Sequence, residues 1–114
     1  MVRIYGIPNC DTVKKARTWL ELHNVAYEFV DFKKTPPREA ELERWKGAFG
    51  GWPVNRQGQT FRKHKAEFEA LEESEVVNFL SAHASMIKRP VVEHDGKVVA
   101  FGFDEAGLGR LRGA

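Results

Sequence analysis

The chain is expected to fold as an α/β protein, with a small mixed four-stranded sheet flanked by helices. Three features lead there. Strand, helix and strand patterns follow one another within the first third of the chain. Asp95-Gly96 stands between two apolar runs near the end, the strongest short-range hairpin signal in the sequence. Helical patterns fill the stretch between these two regions. The 114 residues fit one domain, 1–114.

Val2 to Tyr5 reads as a short strand that ends at Gly6, and Ile7-Pro8-Asn9-Cys10 follows as a loop. Asp11 is the expected N-cap of a first helix, whose apolar positions Val13, Ala16, Trp19 and Leu20 recur at helical spacing. Asn24 is its stop. Tyr27 to Phe32 alternates as a second strand. Pro36-Pro37 opens a second helix over Arg38 to Lys46. Residues 47 to 58, rich in Gly, read as loop or a short helical turn. Ser74 to His83 has the pattern of a helix, with acids at the end where the helix dipole favours them. Pro90-Val91-Val92 and Lys97 to Phe101 are the hairpin strands, and Asp104 to Leu111 closes the chain as a short helix. This order of elements is the thioredoxin arrangement.

The composition, 42% hydrophobic and 30% charged, lies in the ordinary globular range and argues against disorder. A single cysteine excludes an intrachain disulfide and points to a reducing compartment, so a cytoplasmic location is expected. No signal peptide pattern or membrane-length apolar run is expected to matter. The net charge of +2 comes from basic residues interleaved with acids, as in Glu39-Ala40-Glu41-Leu42-Glu43-Arg44. With no dense basic face and no aromatic RNA-binding motif, nucleic acid is not the expected partner. His23, His64, His83 and His94 lack metal-ligand spacing, so no metal site is expected. Trp19, Trp45 and Trp52 read as packing residues.

Cys10 is the residue that carries chemistry. A lone cysteine is commonly an inert small hydrophobe. This one follows a strand and a Gly-x-Pro loop and directly precedes a helix, where unpaired amide N–H groups favour a thiolate. Lys14 and Lys15 stand nearby, read equally as solvated lysines or as part of a positive local field. Asp11 opposes that field.

The stretch Ile4-Tyr5-Gly6-Ile7-Pro8-Asn9-Cys10-Asp11-Thr12-Val13-Lys14-Lys15-Ala16-Arg17 resembles the opening of the arsenate reductase (ArsC)/Spx family, most of all its YffB branch. Asn55-Arg56 through Thr60-Phe61-Arg62-Lys63 is similar to the family's central arginine loop. Ser85-Met86-Ile87-Lys88-Arg89-Pro90-Val91 is similar to its Ile-x-Arg-Pro motif, and Phe101-Gly102-Phe103 to its closing segment. The resemblance implies a thioredoxin-like fold with Cys10 as catalytic nucleophile and a cis Arg89-Pro90 peptide. It also implies that Arg89 and Arg62 bind an anionic substrate, with Thr12 beside the thiolate.

The departures narrow the function. Gly102 stands where arsenate reductases of this type have a third arginine, and Gly6 where they have a histidine. Val13 replaces the second cysteine of the Spx Cys-x-x-Cys. The expected activity is therefore a thiol-dependent oxidoreductase resolved by an external thiol. The resemblance makes that thiol glutathione, as co-substrate, or a glutaredoxin, with no cofactor bound. The alternatives are a true arsenate reductase, or a non-enzymatic Spx-like regulator that contacts RNA polymerase. Gly102→Arg is the change expected to raise arsenate turnover where geometry permits.

Overall fold

The computed structural model describes residues 1–112. The chain groups into two compact units, one formed by Met1–Thr35 with the chain from Arg89 onward, the other by Pro36–Lys88.

The first unit holds the sheet. Its strands are β1 (Val2–Gly6), β2 (Tyr27–Asp31), β3 (Val91–His94) and β4 (Lys97–Phe101), in the order β2-β1-β3-β4. β1 runs parallel to β2 and antiparallel to β3, and β3 runs antiparallel to β4, so the sheet is mixed. Asp95 and Gly96 both take positive φ, 51° and 80°, as a two-residue hairpin turn requires. Helix α1 (Asp11–Leu22) buries Val13, Ala16 and Leu20 in the helical stripe its sequence shows, and Asn24 ends it with a φ of 57°. Ala16 and Leu20 join Val2, Ile4, Val92 and Ala100 of the sheet in one core, with Leu108 and Leu111 from the C-terminal segment. Burying a Leu or Val side chain there contributes about 1.5–3 kcal/mol each.

The short helix at the end of the chain spans Glu105–Gly109, and Asp104 caps it by accepting from the Gly107 N–H at 3.2 Å. Gly107 is required by packing, since a Cβ there would lie 2.2 Å from the Val99 carbonyl oxygen.

The second unit is helical: α2 (Glu39–Phe49), α3 (Gln59–Glu69) and α4 (Glu73–Ala82), with a 3-10 turn over Ala84–Met86. Glu41 and Glu75 reach back to accept from the N–H groups of Arg38 and Glu72, which fixes the starts of α2 and α4. Trp45, Leu42, Leu80, Met86 and Ile87 are fully buried. Residues 53 to 55 pair with 86 to 88 through Asn55 N–H to Met86 O and Lys88 N–H to Pro53 O, both 2.8 Å.

Two expectations are corrected here. Helix α2 continues through Gly47 to Phe49 and stops only at Gly50, whose φ of 82° ends it. The stretch around Arg62 forms helix α3 rather than a loop. Phe61 and Phe68 are its buried residues, and a charged exterior masks that face in the sequence. No helix among the described residues is long and apolar enough to cross a membrane.

Candidate active site

The sheet register assembles the site. Tyr5 of β1 pairs with Val91 of β3, so the chain leaving β1 toward Cys10 lies beside the chain entering β3 from Arg89-Pro90. Val91 also pairs with Phe101, and the Gly102 N–H donates to the Pro90 carbonyl at 2.8 Å. Three segments far apart in sequence thus meet at one end of the sheet. The Arg89-Pro90 peptide is cis.

Cys10, not Asp11, occupies the N-cap of α1. Its backbone is extended, with φ −140° and ψ 124°, and Asp11 is the first helical residue. The reason is that Cys10 already supplies the carbonyl that accepts from the Lys14 N–H at 2.9 Å. Asp11 then contributes as an acid in the first turn, where the helix dipole favours it. Gly6 keeps the approach tight, because a Cβ there would lie 2.7 Å from Val13 Cγ2.

The Cys10 Sγ is half-buried and 3.2 Å from the Thr12 hydroxyl. That hydroxyl also donates to the Arg89 carbonyl at 3.2 Å. Burial pushes the Cys10 thiol up. Hydrogen bonds from Thr12, the Val13 N–H and Arg89, together with the Arg89 charge, outweigh it and hold the thiol below its ordinary value. Thr12 has one proton to give. With a neutral thiol, the S–H can donate to Thr12 while Thr12 donates to the Arg89 carbonyl. When the proton leaves, rotation of the hydroxyl turns that donor onto sulfur. The protein can therefore answer the new charge without moving its backbone.

Cys10, Thr12, Arg89 and Pro90 all come together in the first unit. Arg62 belongs to the second unit, as an exposed residue of α3. The Val13 N–H and the Arg89 carbonyl are contributors that residue types alone do not reveal, because both are backbone groups. The helix start before Val13 was the only available signal for the first.

Gly102 is buried and has a φ of 75°, a conformation that side-chain-bearing residues rarely adopt. The geometry condition attached to an arginine at this position is therefore not met without strain.

The ArsC family model matches residues 5–111. The solved structure of a YFFB protein is 42% identical, with a TM-score of 0.84, over 98% of this chain and 99% of that one. The crystal structure of a possible arsenate reductase from Streptococcus mutans UA159 is 30% identical, with a TM-score of 0.74, over 90% of this chain and 91% of that one. The global transcriptional regulator Spx of Streptococcus mutans is 28% identical over 108 residues, which are 92% of this chain and 78% of that protein. These similarities extend across both units, and the fold they share is thioredoxin-like. With a family match running from the first strand to the C-terminal segment, the chain belongs to the ArsC family.

Proposed function

We propose that the protein is a glutathione-dependent thiol reductase that works through the single nucleophile Cys10. The observation that carries this reading is the donor set around the sulfur, in which Thr12, the Val13 N–H and Arg89 stabilise a thiolate. A thiolate is the attacking form in disulfide exchange. In the first step Cys10 attacks one sulfur of a mixed disulfide between substrate and glutathione. The substrate S–S bond breaks, a Cys10–glutathione disulfide forms, and the substrate leaves as a thiolate that water protonates. A second glutathione, as thiolate, then attacks the glutathione sulfur of that adduct. Glutathione disulfide is released and Cys10 returns as thiolate. The net reaction consumes one glutathione thiol, returns the substrate sulfur to a thiol and releases glutathione disulfide. Since Cys10 is the only cysteine, the resolving thiol has to come from outside the chain, from glutathione or a glutaredoxin. Arg89 holds the anionic partner beside the thiolate.

The Spx relative favours a second reading, a regulator that binds RNA polymerase without turnover. One experiment separates the readings. The protein is incubated with glutathione disulfide, the Cys10 adduct is followed by mass spectrometry, and turnover of a glutathionylated substrate is measured with glutathione. The reductase reading expects an adduct in the wild type, none in Cys10→Ser, and turnover that tracks the adduct. Efficient arsenate turnover with no glutathione adduct would replace it with arsenate chemistry. An inert Cys10 would leave the regulator.

A further inference from the structure

A shallow groove of about 350 Å³ runs along the first unit, lined by Lys14, Lys15, Thr18, Trp19, Leu22 and Phe103. Both of its walls tie directly to the candidate active site. On the α1 side, the Lys14 N–H is bonded to the Cys10 carbonyl, so the groove opens one helical turn, roughly 6 Å, beyond the thiol residue. On the other side Phe103 follows Gly102, whose N–H is bonded to the Pro90 carbonyl. The groove is thus continuous with the chain segments that frame Cys10.

Its chemistry is one-sided. Trp19, Leu22 and Phe103 supply apolar area, and Leu22 is 75% exposed, a large side chain left in water. The lining includes two lysines and no carboxylate, and neither lysine forms an ion pair with any residue among those described. They also sit at the positive end of α1, where the helix dipole disfavours cations. That placement does nothing for the helix and favours an anionic neighbour. A volume of this size lies within the range of sites that hold small molecules or a few side chains.

We propose that this groove seats a polypeptide segment of an oxidised protein substrate, with an apolar side chain against Trp19 and Phe103 and acidic residues against Lys14 and Lys15. The segment flanks the cysteine whose disulfide Cys10 attacks. This assignment rests on the reading of Cys10 as a disulfide-exchanging thiol and names its substrate class, a protein thiol in an apolar, acidic context.

The test separates docking from chemistry. Two fluorescein-labelled peptides carry a cysteine followed by Leu, Phe and either three Glu or three Lys. Their binding to the Cys10→Ser protein is measured by anisotropy at low and moderate salt. The same peptides, with glutathione disulfide-linked to the cysteine, are then offered to the wild type. The proposal expects the acidic peptide to bind more tightly than the basic one and to weaken with salt. Lys15→Glu should reverse the preference, each charge pair being worth up to about 5-fold. Leu22→Glu, at an exposed position where folding is not at risk, should weaken the acidic peptide as well. Equal binding of the two peptides, or a preference that neither variant changes, overturns the docking site. Concentration-dependent self-association abolished by Leu22→Glu also overturns it, by giving the groove to a second copy of the chain. Acidic-peptide binding with no exchange at Cys10 supports the groove while overturning the reductase reading.

Discussion

Replacing Gly6 with alanine tests how the thiol loop is held. The added Cβ would lie 2.7 Å from Val13 Cγ2, where carbon atoms prefer about 3.5–4.0 Å. Val13 is fully buried and β-branched within a helix, so it has one strongly preferred rotamer and cannot swing aside. The strain must then move the start of α1 away from β1. Overpacking of this kind costs about 1–3 kcal/mol. In a chain of this length that corresponds to a fall in Tm of roughly 5–15 °C. Val13→Ala removes the opposing methyl groups and costs about 2 kcal/mol alone, mainly through the cavity it leaves. In the double variant each change accommodates the other, so the combined loss should fall short of the sum by about 1–3 kcal/mol. Urea unfolding of the four proteins gives the coupling directly. A double variant whose loss equals the sum of the singles would refute the contact as the cause.

Three further outcomes follow from the site. Thr12→Val removes the side-chain donor to the thiolate and should slow alkylation of Cys10 by about 5-fold below its titration midpoint, since a hydrogen bond at a half-exposed charge is worth about 1 kcal/mol. The rates should converge at high pH, and an unchanged pH profile would exclude Thr12 as a donor. For stability, the folded state holds Cys10 below its ordinary value, so between that point and the unfolded value of ~8.5 the unfolded chain binds more protons. The contribution is complete above the unfolded value and is lost as pH falls through the folded one. The stability advantage of wild type over Cys10→Ser should therefore grow as pH rises across that window, and urea midpoints in reductant would reveal a flat difference if this is wrong. Gly102→Arg should lower Tm, because a residue with a side chain in this left-handed conformation costs about 1–2 kcal/mol, and arsenate turnover should not rise.

The parts of this fold that local patterns control could be read from the residues. Val13, Ala16 and Leu20 mark the buried face of α1, and Asp95-Gly96 marks the hairpin, because each signal lies within a few adjacent residues. Helix α3 could not be read that way. Only Phe61 and Phe68 are buried along it, and their spacing of seven leaves an exterior of Arg, Lys, His and Glu that looks like a solvated loop. The end of α2 was obscured by Gly47, a residue that usually interrupts helices but here faces open space. At the site, Cys10 and its helix start were legible. The bond from Thr12 to the Arg89 carbonyl was not, since it depends on the Tyr5–Val91 register, a long-range fact.

The balance of charge at Cys10 supports the proposed disulfide exchange over the other chemistries open to an ArsC-family thiol. Two of the donors that stabilise its thiolate, the Thr12 hydroxyl and the Val13 N–H, are neutral, and Arg89 adds the one formal charge named with them. That suffices for disulfide exchange, where a single negative charge passes from one sulfur to another and no oxyanion develops. Arsenate makes a different demand. A multiply charged oxyanion must approach a thiolate, and removing even one donor from such a site costs about 2.7–4 kcal/mol. The position that resembles the family's third arginine is Gly102, buried and left-handed, with its N–H committed to the Pro90 carbonyl. The backbone there serves to join β4 to the cis-proline segment. An arginine at 102 would keep that N–H but would have to hold a φ of 75° at a buried position, so the added cation would come with backbone strain.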